Sequence, residues 1–221
     1  MKTLLFDKEK YPVRKIISKI FNTNNLEKSH LIYDNDKDMK PFNKYNDDKT
    51  VFHNIFYKSL LLNQLLEIYK KIIRELIMPL YKEENYIVYQ KIPAFRVCIP
   101  NNRSVGEVHR DFDYNHPKEE MNYWLPITEL EKENTCWYEK EKDKGNFVPI
   151  LIDYGNIAEI YLNQLRHYCP INTTDKTRMS LDFRIIPGSK WEKIDKNNLG
   201  NSYFNKAKFS LGNYYDIIKK V

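Results

Sequence analysis

Three short stretches hold the residues able to do chemistry: His109-Arg110-Asp111, His167 and Arg178-Met179-Ser180. His167 follows Asp111 by 56 residues, and Arg178 comes 11 residues later. Two imidazoles and one carboxylate on one octahedral face leave three positions open, the ligand set of non-haem Fe(II) centres. If the H-x-D triplet lies on a strand, the two-residue period sends both side chains to the same face. Alone, H-x-D arises easily in a chain with 30 acidic residues and reads as a surface ion pair. The later histidine and the R-x-S turn the set into a metal site, with His109, Asp111 and His167 as ligands. Arg178 adds a planar guanidinium, which suits a two-point carboxylate grip better than lysine does.

Arg178 opens a strict alternation. Arg178, Ser180, Asp182 and Arg184 share one face, and Met179, Leu181, Phe183 and Ile185 the other. A polar face turned into a small barrel must pair its charges or bind something with them. Asp182 and Arg184 fit pairing with neighbours, and Arg96, in another apolar run, is a further inward charge without an assigned role. Asn122 and Trp124 also share a face, where an amide and an indole N–H can donate to an oxyanion; a Trp filling core is the equal alternative. His116, in the Asn115-His116-Pro117 turn, is a candidate substrate contact, although a structural role is the simpler reading. His30 and His53 read as structural or solvated.

The elements that must position these groups change character along the chain. Val13, Ile16, Ile17, Ile20 and Phe21 follow helical spacing, with Pro12 at the start. Residues 23–50 turn polar and read as a long loop. An apolar stripe from Ile55 to Leu76 predicts one long helix over 54–78, ended by Pro79 and packed on a sheet. From Tyr86 the period becomes two, predicting strands near 86–91, 93–99, 104–111, 120–127, 135–140, 147–153, 157–162, 165–171 and 177–186. Short strands after helices predict a mainly β protein, a double-stranded β-helix or cupin-like jelly-roll flanked by N-terminal helices. The expected division is 1–85 as a helical region packing on the barrel, 86–187 as the catalytic core, and 188–221 as an extension of the same domain. That extension carries Trp191, Tyr203, Phe204, Phe209, Tyr214 and Tyr215, too aromatic for a disordered tail, so it should pack back on the barrel or near its mouth.

Composition narrows the classes. The 221 residues are 42% hydrophobic and 14% aromatic, enough for a sizeable core. The net charge of +6 comes from lysines scattered among acids, unlike the gathered basic face of a nucleic-acid protein. Cys98, Cys136 and Cys169 lack C-x-x-C spacing and predict neither a disulfide framework nor a cysteine zinc site. Leu4-Leu5-Phe6 meets charge at once, so no signal peptide is expected, and no run reaches the ~18 apolar residues of a membrane span. A cytoplasmic protein without nucleic-acid or membrane partners is the expectation.

With these residues in view, the chain resembles the Fe(II)/2-oxoglutarate-dependent oxygenases of the phytanoyl-CoA dioxygenase-like superfamily, in the branch found with streptomycin biosynthesis and carbohydrate gene clusters. The likeness covers roughly residues 86–187. It is carried by residues 106–114 around His109 and Asp111, by Asn122-Tyr123-Trp124-Leu125-Pro126, by Arg166-His167-Tyr168, and by residues 177–184 around Arg178 and Ser180. It implies that His109, Asp111 and His167 bind Fe(II), and that Arg178 with Ser180 holds the distal carboxylate of 2-oxoglutarate. Trp124 would contact the cosubstrate, Asn122 being placed beside it by their shared face, and O2 would be the oxidant. Related halogenases replace the carboxylate with a small residue, so Asp111 argues against halogenation. An Asn-Gly…Pro-Gly-Ser-His stretch common in phytanoyl-CoA-type members is absent between Asn134 and Pro149, so an acyl-CoA substrate does not follow. The implied activity is hydroxylation or oxidation of a small polar metabolite, a sugar or sugar-containing compound. Two rivals are a cupin-like metal-binding protein and a metal-dependent sugar isomerase; neither needs the Arg178–Ser180 clamp.

Overall fold

The computed structural model describes residues 1–33, 49–104, 107–202 and 206–220. Its frame is two antiparallel sheets facing each other as a double-stranded β-helix, the jelly-roll expected. The larger sheet holds β1 (Lys2–Leu5), β2 (Tyr86–Gln90), β3 (Ala94–Cys98), β4 (Met121–Pro126), β7 (Asn156–Ile160), β9 (Arg178–Pro187) and β10 (Tyr215–Lys219). The smaller holds β5 (Trp137–Glu139), β6 (Phe147–Pro149) and β8 (His167–Tyr168).

Strand β9 is the axis of the fold. All ten of its residues are buried; β4 runs along one side, and β3 and then β2 along the other. Its apolar face, Met179, Leu181, Phe183 and Ile185, joins the main core with the helices α1 (Val13–Ile20), α2 (Val51–Lys58) and α3 (Leu62–Ile72). Phe183 stacks on Tyr123 at 5.6 Å and meets Tyr69 edge-on at 5.1 Å, geometries that the aromatic quadrupole favours. The polar face points the other way, into the barrel, where Trp124, Cys136, Tyr138, Ile150, Ile160 and Cys169 form a second, smaller core. Cys98 is fully buried, and all three cysteines are free thiols.

Several sequence expectations are corrected. The single helix over 54–78 is two helices, because Ser59 takes an extended conformation (ψ 136°) and its Oγ accepts from the Leu61 N–H, a local alternative that restarts the chain. After α3 the backbone widens into a π-turn over Ile73–Ile77 and closes in a 3-10 turn holding Pro79, whose missing N–H ends the helical run. The polar stretch 23–50 contains a 3-10 helix over Leu26–Leu31; residues 34–48 lie outside the described residues. Strand β1 was not anticipated, since only its pairing with β7 gives four largely exposed residues a partner. The aromatic tail does pack back: β10 adds to β2 as an edge strand, and Trp191, Phe209, Tyr214 and Tyr215 are buried together. Tyr203 and Phe204 lie outside the described residues.

Candidate metal centre and carboxylate site

The H-x-D triplet is not on a strand, which corrects the basis on which its convergence was expected. His109 makes an isolated bridge with His167, with N–O distances of 3.1 and 2.8 Å, and Asp111 opens a 3-10 turn over Asp111–Tyr114. Val105 and Gly106, inside the expected strand 104–111, lie outside the described residues. Convergence survives because Arg110 is extended (φ −111°, ψ 151°) and its N–H donates to Asp113 Oδ2 at 2.9 Å, fixing the entry to the turn. The Asp111 and Phe112 N–H groups then donate to the Leu162 and Asn163 carbonyls, which stitches this segment to the one carrying His167.

The ligand atoms of His109, Asp111 and His167 lie within 4.8 Å of one another. Metal–ligand bonds of about 2.0–2.2 Å put neighbouring ligand atoms about 3 Å apart at right angles, so small side-chain movements would close the set on one ion. Each remaining polar atom of the triad is already engaged. His109 Nδ1 faces the Glu107 carbonyl at 2.8 Å and His167 Nδ1 the Leu165 carbonyl at 3.2 Å, which assigns the proton to Nδ1 and leaves Nε2 to coordinate. Asp111 Oδ2 accepts from Asn122 Nδ2 at 2.6 Å and from Arg184 Nη2 and Nε at 2.8 and 3.2 Å, leaving Oδ1 toward the imidazoles, 3.6 Å from His167 Nε2.

The electrostatics match. Burial alone would raise the Asp111 carboxyl, but Arg184 and then the imidazoles of His167, His116 and His109 outweigh it and hold the group well below the ordinary carboxylate range. Burial, then His109, pushes the His167 imidazole down to about 4 against the pull of Asp111. Both groups therefore stand at neutral pH in the forms that bind a metal.

Deeper along β9, Arg178 is 1% exposed. Its Nε donates to the Asn134 carbonyl at 3.0 Å, Nη1 to Ser180 Oγ at 3.1 Å, and Nη2 to Ser104 Oγ at 2.6 Å and Cys169 Sγ at 3.2 Å. No carboxylate pairs with it among the described residues. The nearby group able to carry negative charge is Cys169: Cys136 hydrogen-bonds it and, against burial, draws its thiol down, with Arg178 adding to the effect. Asn134 Nδ2 is a buried donor with no partner among the described residues. A guanidinium without a carboxylate, a serine hydroxyl with its own proton to give and an orphaned amide are the donor set that a carboxylate ligand would satisfy.

The other sequence candidates surround these groups. Asn122, expected at the cosubstrate, donates its Nδ2 to Asp111, and its Oδ1 accepts from the Asn163 N–H at 3.0 Å. Trp124 is 3% exposed within the smaller core. Arg184 pairs with Asp111 and, at 3.3 Å, with Asp182, which also lies 3.5 Å from Arg96. Sequence reasoning missed Ser104, Asn134 and Cys169 beside Arg178. No motif marks them, although Cys169 stands two residues after His167. His30 bonds Thr177 Oγ1, and His53 lies between Thr50 Oγ1 and the Phe95 carbonyl, both structural as expected.

Fold and site together define a double-stranded β-helix protein with a two-histidine, one-carboxylate centre. The chain belongs to the family of the streptomycin biosynthesis protein StrG of Streptomyces griseus, to which it is 32% identical over 173 residues, 78% of each chain. A scan of family models finds no match. Among solved structures it is similar to AviO1 from Streptomyces viridochromogenes Tue57 (13% identity, 84% of this chain and 87% of that one, TM-score 0.44). It is also similar to SnoN, a non-haem α-ketoglutarate-dependent epimerase from nogalamycin biosynthesis (12% identity, 71% and 74%, TM-score 0.47). Both are distant likenesses. No helix among the described residues is long and apolar enough to cross a membrane.

Proposed function

We propose that this protein is an Fe(II)- and 2-oxoglutarate-dependent oxygenase that hydroxylates or oxidises a small polar metabolite, a sugar or sugar-containing compound. The observation that carries the proposal is the pairing of a preorganised His109–Asp111–His167 triad with a buried Arg178 that has no carboxylate partner among the described residues. Bound Fe(II) with 2-oxoglutarate and O2 would supply the oxidising chemistry, at the cost of decarboxylating the cosubstrate to succinate.

The chain's own residues bind and orient. His109 and His167 offer Nε2 and Asp111 offers Oδ1, each held by a partner on its other side; loss of such partners typically costs about 10–100-fold in metal affinity. Arg178, Ser180 and the Asn134 amide would hold the distal carboxylate, with Trp124 and the apolar cluster around it excluding water. The sugar reading draws support from the streptomycin assignment of StrG and from a cavity of about 220 Å³ beside Arg184 that mixes aromatic and polar walls.

Succinate formation from 2-oxoglutarate with Fe(II) and ascorbate, measured across sugars, aminoglycosides, acyl-CoAs and peptides, tests the proposal. Sugar-stimulated succinate release is the expected result. Metal binding without any succinate would leave a metal-binding protein instead, and stimulation by acyl-CoA or peptide alone would overturn the substrate class.

A further inference from the structure

The cavity beside Arg184 has an unusual wall. It is lined by Tyr57, Gln90, Arg96, His116, Arg184 and Tyr214, among others, and Arg184 links it to Asp111. His116 is 8% exposed, with its ring against Phe209 (4.5 Å) and edge-on to Tyr214 (5.8 Å). Its Nδ1 lies 2.9 Å from Glu120 Oε2. Glu120 is fully buried, and its other oxygen accepts from the Tyr215 hydroxyl. Among the described residues no hydrogen bond reaches His116 Nε2, on the opposite edge of the ring.

Stability does not explain this arrangement. Replacing a buried ion pair or its equivalent by apolar residues of similar volume is often neutral or stabilising, so a dyad sealed under aromatic rings gains the fold little. What the carboxylate does accomplish is to fix a tautomer. A Glu120 carboxylate accepts a hydrogen bond from Nδ1–H, which leaves the lone pair on Nε2, the ring nitrogen left for the cavity that His116 lines. A ligand that satisfies such an atom must bring a donor, an O–H or N–H, whereas an ionised carboxylate would meet it lone pair to lone pair.

We propose, building on the oxygenase reading, that His116 is a substrate-binding residue whose Nε2 accepts a hydrogen bond from a hydroxyl of a neutral polyol, with Glu120 and Tyr215 as positioning residues. The cavity volume of about 220 Å³ lies below the ~300–1,000 Å³ usual for drug-sized ligands, which suits one sugar or cyclitol ring. Gln90 and Arg184 would serve the ring's other oxygens, and Tyr57 and Tyr214 its apolar faces.

The variant Glu120→Gln tests this sharply. With Tyr215 still donating, the amide oxygen faces Tyr215 and the NH2 faces His116. Nδ1 must then accept, and the ring proton moves to Nε2, turning the cavity atom from acceptor to donor. Nitrogen-15 NMR of histidine-labelled protein should show His116 as the Nδ1–H tautomer in the unaltered protein and the Nε2–H tautomer in Glu120→Gln. With myo-inositol as probe, titration should move the His116 Nε2 resonance in the unaltered protein and bind at least tenfold more weakly in Glu120→Gln. A His116 already protonated at Nε2 at neutral pH would overturn the proposal. So would a resonance that inorganic phosphate moves and myo-inositol does not, or one that neither moves. Metal and 2-oxoglutarate titrations of the unaltered protein report on the oxygenase reading separately, so the two fail independently.

Discussion

On the proposed function, Arg178→Ala should separate cosubstrate binding from metal binding at the triad. In the folded protein the guanidinium is 1% exposed and held by Asn134, Ser180, Ser104 and Cys169, so its desolvation precedes ligand binding and its geometry is set. An arriving carboxylate gains a remaining Nη1–H and the Ser180 hydroxyl without reorganising the arginine. Removing one partner of such a buried pair costs about 3–5 kcal/mol. At about 1.4 kcal/mol per tenfold, 2-oxoglutarate affinity should fall by two to more than three orders of magnitude. The truncation also strips donors from the Asn134 carbonyl and two serines, about 1–3 kcal/mol for each group left unsatisfied, so the variant should be less stable. Two controls deal with that. Arg178 does not touch the triad, so metal affinity should persist in whatever fraction remains folded. Ser180→Ala, which removes one neutral hydrogen-bonding group, should cost only about 1 kcal/mol of cosubstrate binding. The assay is anaerobic calorimetry of 2-oxoglutarate into the metal-loaded protein, with circular dichroism to establish folding. A folded Arg178→Ala that binds 2-oxoglutarate within threefold of the unaltered protein would refute the reasoning.

Single replacements of His109, Asp111 or His167 by Ala should each abolish most metal binding and turnover, read by metal analysis after dialysis; full metal content in all three would sink the triad. Stability should depend on pH through His53, whose imidazole is pushed down to about 4, first by burial and then by Arg96. Its folded pKa lies below the unfolded value of about 6.5, so the unfolded state binds more protons between these values, and stability is full above about 6.5 and falls as pH drops toward 4. The loss is on the order of 3 kcal/mol from this residue, and urea midpoints at pH 7.5 and 4.5 should differ less in His53→Asn than in the unaltered protein. Identical pH dependence in the two would remove His53 as the cause.

The candidate metal triad was legible in one dimension because its set of types at that spacing, rather than any one of them, has few structural readings. A buried arginine opening an alternating strand, two residues before a serine, has few readings, and the structure seats it where the alternation placed it. Eight of the nine expected strands appear within a few residues of their predicted positions, since a half-buried strand must alternate. The exception is 104–111, whose described residues form only an isolated bridge at His109. The long helix failed at Ser59 because an apolar stripe reports which residues face the core, and a helix broken and restarted can keep the same face.

Sequence by itself determined the period of most elements and the donor and acceptor types at the site. Those properties belong to residue types and to near neighbours, and they are written in local order. Tertiary structure alone decided which partners hold those groups. Asn122 and Arg184, from different strands, converge on one oxygen of Asp111, while Asn134, Ser104 and Cys169 converge on Arg178. Glu120 meets Tyr215 across 95 residues. Such contacts depend on sheet register and on loops closing over long stretches of chain, and a register set by the burial of one whole face leaves no mark at the individual residues it brings together.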